Sequence, residues 1–229
     1  MRRTLIAAAL LLAPAGAHAA IRDWRPARFD RIASSDSYNI TVVPGPVASV
    51  RAEGDADALG RMDVRVDGAS LRIGTKHGLW WGGWHRKPVR VTVVSPFALR
   101  SADLAGSGNL TMARVDAPVF EGSISGSGNM VLRGVATRRL ALSTSGSGDV
   151  TAFGHSERVS ASIAGSGNAR LDELHTVELT ADIAGSGDIR AFASGTAALS
   201  IVGSGDMRVR GGARCTVSKA GSGSASCTA

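Results

Sequence analysis

The sequence predicts an all-β protein, a right-handed parallel β-helix with coils of about 20 residues. Three observations predict it: a tripeptide recurring at a near-constant interval, period-two alternation on both sides of it, and a period half that of a β-propeller blade. Gly-Ser-Gly occurs seven times, with first glycines Gly106, Gly126, Gly146, Gly165, Gly185, Gly203 and Gly221, at intervals of 20, 20, 19, 20, 18 and 18 residues. Such self-similarity marks a solenoid, whose single coil cannot bury its apolar face alone.

The alternation assigns inward columns. Two residues before each first glycine stand Leu104, Ile124, Thr144, Ile163, Ile183, Ile201 and Lys219. Four after it stand Leu110, Met130, Val150, Ala169, Ile189, Met207 and Ala225, and six after it Met112, Leu132, Ala152, Leu171, Ala191, Val209 and Cys227. Polar residues fill the positions between, as half-buried strands require. Each coil therefore reads strand, Gly-Ser-Gly-Asn/Asp corner, strand, return turn. Glycine supplies positive φ at the corner, and the following Asn or Asp is expected to tolerate the same region. Six steps between parallel strands give a rod section roughly 29 Å long.

The order along the chain is as follows. Met1 to Ala19 reads as a secretory signal, with Arg2 and Arg3 as the positive region, Leu5 to Leu12 as the apolar stretch and Ala17-His18-Ala19 as the cleavage site. No cysteine follows that site, which argues against a lipid anchor, and no transmembrane segment is expected in the mature chain. Residues 20–100 form an N-terminal β region that caps the solenoid and continues into it. Residues 101–229 form the repeat solenoid, and residues 20–229 are expected to make one structural domain. In the N-terminal region Tyr38 to Val43, Val47 to Glu53, Met62 to Val66, Ser70 to Thr75 and Val89 to Val94 read as strands, and Pro44-Gly45-Pro46 reads as a turn.

Composition narrows the partners. The chain has 26 basic and 19 acidic residues, and removing the two signal arginines leaves 24 − 19 = +5. The arginines are scattered rather than blocked, which with export argues against nucleic acid. The only cysteines, Cys215 and Cys227, lie six before and six after Gly221 in inward register. They are expected to form a disulfide clamping the last coil, the alternative being two buried free thiols.

Arg28-Phe29-Asp30-Arg31-Ile32, Tyr38-Asn39-Ile40-Thr41-Val42-Val43-Pro44-Gly45, Val50-Arg51-Ala52-Glu53-Gly54-Asp55, Leu71-Arg72-Ile73 and the serial Gly-Ser-Gly-Asn/Asp coils together resemble the bacterial head GIN domain family, described as autotransporter adhesin heads. The resemblance runs over about residues 27 to 218. It implies a β-helical envelope protein, with no catalytic residues to carry over. No autotransporter barrel is expected from the sequence, so self-secretion is not expected.

The strongest local departure from the repeat is His77-Gly78-Leu79-Trp80-Trp81-Gly82-Gly83-Trp84-His85-Arg86-Lys87, which holds three of the four tryptophans. Trp80, Trp81, Trp84, His85, Arg86 and Lys87 are candidates for contacting sugars, anionic polymers or a membrane interface. The competing reading is an apolar cap over the solenoid end or a contact between copies. The corner column Asn109, Asn129, Asp149, Asn168, Asp188 and Asp206 suggests hydrogen-bonded ladders. Stacked Asp149, Asp188 and Asp206 are also candidates for Ca²⁺, although Arg190 and Arg208 stand two residues beyond two of them. A face of small residues, Asp103, Ser123, Ser143, Ser162, Asp182, Ser200 and Ser218, runs three before each corner. It would suit an ordered polymer or another copy, or simply pack without clashing.

Histidines His77, His85, His155 and His175 show no metal spacing, and no nucleophile or phosphate-loop motif occurs. The reading is thus a non-catalytic exported protein of the periplasm or outer surface of a Gram-negative bacterium. No cofactor is expected, and the partners are itself, envelope polysaccharide or surface glycan. The alternative is a carbohydrate-active enzyme, a polysaccharide lyase or hydrolase, on the same scaffold.

Overall fold

The structure, a computed structural model, describes residues 20–76 and 89–229. The expected signal segment and the tryptophan-rich stretch lie outside the described residues. The described chain forms a parallel β-solenoid of about six turns.

The N-terminal region contributes β1 (Ala20–Trp24), β2 (Arg31–Ser35), β3 (Asn39–Pro44), β4 (Ser49–Gly54), a short helix α1 (Ala56–Arg61), β5 (Met62–Asp67), β6 (Ser70–Thr75) and β7 (Arg90–Ser95). The repeats follow as β8 (Ser101–Gly106), β9 (Asn109–Met112), β10 (Val119–Gly126), β11 (Asn129–Gly146), β12 (Val150–Gly165), β13 (Asn168–Gly185), β14 (Asp188–Gly203), β15 (Asp206–Arg210), β16 (Arg214–Ala220) and β17 (Ser224–Thr228).

The opening coils do not stack in chain order. β2 pairs in parallel with both β6 and β8, and β3 with both β7 and β9. The β2–β3 coil thus lies between the β6–β7 coil and the first Gly-Ser-Gly coil. The outer edges of β6 and β7 are covered by antiparallel strands, β5 on β6 and β4 on β7, with β1 beyond β4. Covering an edge in this way removes a template for unwanted strand addition. The unpredicted helix α1 starts at Asp55, whose Oδ1 accepts from Asp57 N at 3.0 Å and Ala58 N at 3.2 Å, and it buries Leu59.

The repeats stack in register. Gly106 aligns with Gly126, Gly126 with Gly146, and so on to Gly203. The inward columns are those the alternation predicts, and they are buried from Leu104 to Ile201, Leu110 to Met207 and Met112 to Val209. In the last coil the columns open: Lys219 and Cys227 are exposed and Ala225 is half-buried.

Two sequence expectations are corrected. The return turn is itself a paired run, so each full coil has three: within β11 the ladder to β12 takes in Met130–Leu132, Val135–Thr137 and Arg139–Gly146, with a register shift between Leu132 and Val135. The alternation does not reveal the third run because, beside the apolar Val135 and Leu174, its lumen-facing residues Thr137, Ser156 and Thr176 are polar yet buried. Their hydroxyls are satisfied: Thr137 donates to Ser156 Oγ at 2.9 Å, Ser156 to Arg158 O at 3.0 Å, and Thr176 to Glu157 O at 3.1 Å. Second, no non-glycine among the described residues has positive φ. The Asn and Asp after each corner are therefore not there for backbone freedom.

Cys215 and Cys227 form the expected disulfide, with Cα atoms 6.6 Å apart across a separation of 12 residues. A loop of that size contributes roughly 3 kcal/mol by closure entropy. Replacing both cysteines with serine is expected to loosen the final coil alone. Amide exchange in β16 and β17 should accelerate by about two orders of magnitude while β12 and β13 keep their protection. Unchanged exchange in β16 and β17 would show that the clamp contributes nothing there.

Candidate binding surface

The corner column forms a ladder that runs the length of the rod. Asn109 Nδ2 donates to Asn39 Oδ1 at 2.8 Å and Asn129 Nδ2 to Asn109 Oδ1 at 2.9 Å. From there each side-chain oxygen accepts the backbone N–H of the next coil: Asn129 from Asp149, Asp149 from Asn168, Asn168 from Asp188, Asp188 from Asp206 and Asp206 from Ser224, at 3.0–3.3 Å. The ladder reading of this column is thus the one the geometry supplies. Oδ1 of each of Asp149, Asp188 and Asp206 is engaged in it, and Asp149 Oδ2 lies 3.5 Å from Arg170 Nη2. The Ser224 hydroxyl and then its amide hold the Asp206 carboxyl below the usual carboxylate range, with Arg208 adding to the effect. Among the described residues no cluster of three or more Asp, Glu, His or Cys converges as a metal site would require.

Next to this ladder the register builds two further columns on the outer face. One is Arg170, Arg190 and Arg208. The other is His155, His175, Phe192 and Arg210. The His175 and Phe192 rings meet edge-on with centroids 4.5 Å apart. An open groove of about 400 Å³ lies here, lined by Asp172, Arg190, Arg208, Val209, Arg210, Ser226 and Thr228. Asp172 pairs with Arg210 at 3.4 Å. Sequence reading missed the second column because its members sit at different offsets from their corners. The shift appears only in the ladder, as register breaks between Thr151 and Gly154 and between Leu171 and His175.

The small-residue face also forms in register, Asp103 against Ser123, Ser123 against Ser143, and on to Ser218. Asp103 interrupts it with a carboxyl whose pKa is raised, first by burial and then by Glu121, against the opposing pull of Arg31.

Trp80, Trp81, Trp84, His85, Arg86 and Lys87 lie outside the described residues. The ends to which their segment connects are described: β6 precedes it and β7 follows it. In the neighbouring coil β2 and β3 are joined at Asp36-Ser37-Tyr38. The Thr75 hydroxyl donates to Asp36 Oδ2, and Tyr38 OH lies 2.8 Å from Thr75 Oγ1. No helix among the described residues is long and apolar enough to cross a membrane.

The fold and its outer face define a capped β-solenoid whose surface is made of aligned side-chain columns. The chain belongs to the family described as "Putative auto-transporter adhesin, head GIN domain", which matches residues 28–213. Its fold is similar to a "putative adhesin" of Bacteroides fragilis at 20% identity and a TM-score of 0.85, over 93% of this chain and 98% of that one. It is also similar to a "putative lipid binding protein" of Parabacteroides distasonis, 21% identical, TM-score 0.74, over the same 93% and 98%. A "putative adhesin" of Parabacteroides merdae matches at 16% identity and a TM-score of 0.73, over 93% and 97%. Comparison with curated proteins finds no match.

Proposed function

We propose that this chain is a non-catalytic exported protein of the bacterial envelope, periplasmic or at the outer surface. It acts as an adhesion or structural module whose contacts are surface glycans, envelope polysaccharide or further copies of itself. The observation that carries this reading is the one-walled build of the charged groove. Apart from the inward-facing Val209, its lining residues come from one outer face of successive coils, Asp172 to Thr228. General acid–base chemistry on a glycosidic bond calls for groups that flank it from different sides, whereas an open face suits docking. Family membership supports the adhesion reading. The tryptophans Trp80, Trp81 and Trp84, with His85, Arg86 and Lys87, supply a second contact patch, since their rings suit sugar faces and their charges suit anions.

The test is a screen of neutral and acidic glycans, cell-wall material and lipid vesicles, with wild type beside the triple variant Trp80→Ala/Trp81→Ala/Trp84→Ala. Vesicles are included because one structural neighbour carries a lipid-binding name. The expected result is glycan or cell-wall retention that the triple variant loses, with its melting temperature within about 2 °C of wild type. A large fall in melting temperature with retention intact would make the segment a cap. Failure of every class to bind would sink the adhesion reading, and new reducing ends or unsaturated sugars in the incubations would favour the alternative of a carbohydrate-active enzyme.

A further inference from the structure

We infer that the paired columns Arg170–Arg190–Arg208 and His155–His175–Phe192–Arg210 form a track for an acidic polysaccharide, one bearing carboxylates on successive sugars. The inference rests on the glycan-binding reading above and places a site on the last coils of the rod, made of residues other than the tryptophans.

Three features point to an anionic ligand. Arg190 stands directly opposite Arg170 on one side and Arg208 on the other in a parallel ladder. Like charges stacked about 4.8 Å apart are unfavourable in the free protein and are relieved when anions come between or over them. Arg170 and Arg210 have carboxylate partners in Asp149 and Asp172, at 3.5 and 3.4 Å. Among the described residues no carboxylate lies within 4.0 Å of the Arg190 or Arg208 guanidinium. Asp188 and Asp206, two residues before them, hold their Oδ1 atoms on the backbone of the next coil. Both guanidinium groups line the groove of about 400 Å³, Arg208 with only the longer-range attraction of Asp206. Equivalent positions in earlier coils are Thr111, Val131 and Thr151, so the charge belongs to this end of the rod.

Other features select a sugar polymer. The neighbouring column presents two imidazoles and a phenyl ring in register, surfaces that pack against the apolar face of a sugar ring. Guanidinium forks beside them match planar carboxylates with two hydrogen bonds each. Four coils give a track roughly 14 Å long, suited to a short run of sugars rather than one compact anion. Insertion into a membrane would ask for large exposed apolar side chains beside the arginines. Those on the described rod are Ile21, Val47, Val119, Val177, Val202 and Val217, none of them in either column.

Polygalacturonate is the probe, titrated calorimetrically at two salt concentrations, with neutral dextran and phosphatidylglycerol vesicles as separate arms. Wild type is expected to bind polygalacturonate in a salt-sensitive manner, and Arg190→Ala/Arg208→Ala to weaken it at least about tenfold with no loss of thermal stability. Phe192→Ala is expected to weaken it by a smaller factor without changing the salt slope. Equal binding by wild type and the arginine variant, with loss in the tryptophan variant, would overturn the track and leave the adhesion reading standing. No polygalacturonate binding would also overturn the track, and dextran binding in that case would still support glycan recognition. Vesicle binding that depends on Arg190 and Arg208 would replace the polysaccharide by a lipid headgroup.

Discussion

Gly165→Ala is expected to lower stability by about 3–5 kcal/mol, enough to unfold much of the population of a marginally stable protein. Gly165 has φ +134°, where a side chain costs about 1–2 kcal/mol. A Cβ built there would lie 2.2 Å from Gly146 O and 3.0 Å from Gly146 C in the coil below. That obstacle is backbone and cannot swing away. Gly146 O moreover accepts from Ser166 N at 2.9 Å and Gly167 N at 3.2 Å, so pushing the coils apart strains both bonds. Gly167 reaches the same result without positive φ, since its Cβ would lie 2.1 Å from Gly148 O. Gly167→Ala is therefore expected to cost nearly as much as Gly165→Ala. The exposed residue between them provides the control, because Ser166→Ala should stay within about 0.5 kcal/mol. Urea denaturation of the three variants measures this. A Gly165→Ala protein with the midpoint of wild type would mean that the coils do not stack as closely as described.

Both glycines of the tripeptide thus answer to the coil beneath them, which is why the motif recurs and why the solenoid was legible from it. The inward columns were legible for the same reason, since Leu104 to Ile201 keep a constant offset from the corner. What lies far from the corner was not. The third paired run carries Thr137, Ser156 and Thr176 on its buried side, and polar residues break an apolar alternation even where hydroxyl bonds make their burial acceptable. Coil lengths of 20, 19, 20 and 18 residues shift that run, so His155, His175 and Phe192 share a column that no fixed spacing reveals. The insertion of β2 and β3 between β6–β7 and β8–β9 depends on pairings some 40 to 70 residues apart, for which the sequence has no repeat to count. The arginines showed themselves only as neighbours of aspartates. Their alignment into a charged row is a property of stacking.

Phe120→Ala carries the other large effect, a loss of about 3–5 kcal/mol. Phe120 is fully buried, and its partner position two residues on is Gly122. Four of five coils fill these paired positions with one larger and one smaller residue: Phe120 with Gly122, Val159 with Ala161, Leu179 with Ala181, then Ala197 with Leu199, whereas the coil next to Phe120 has Leu140 with Leu142. The first and last of these pairs are inverted versions of one solution, one large residue beside one small. Truncating Phe120 leaves two small residues in one coil, and the void cannot close because the ladders on both sides, to β8 and to β11, hold the strand in place. The inverted pair sets a stricter test. Phe120→Ala/Gly122→Leu copies the arrangement of Ala197 and Leu199, and the only atoms that a Cβ at 122 meets within 3.0 Å are the side-chain ends Leu142 Cδ2, at 2.9 Å, and Met130 Sδ, at 3.0 Å. Both can move, so the double variant is expected to regain roughly half of the loss, a coupling of at least about 1.5–2.5 kcal/mol, since Gly122→Leu alone also destabilises. Chemical denaturation of the wild type, the two single variants and the double variant measures that coupling. Simple additivity of the two losses would mean that coil volume is not what these positions share.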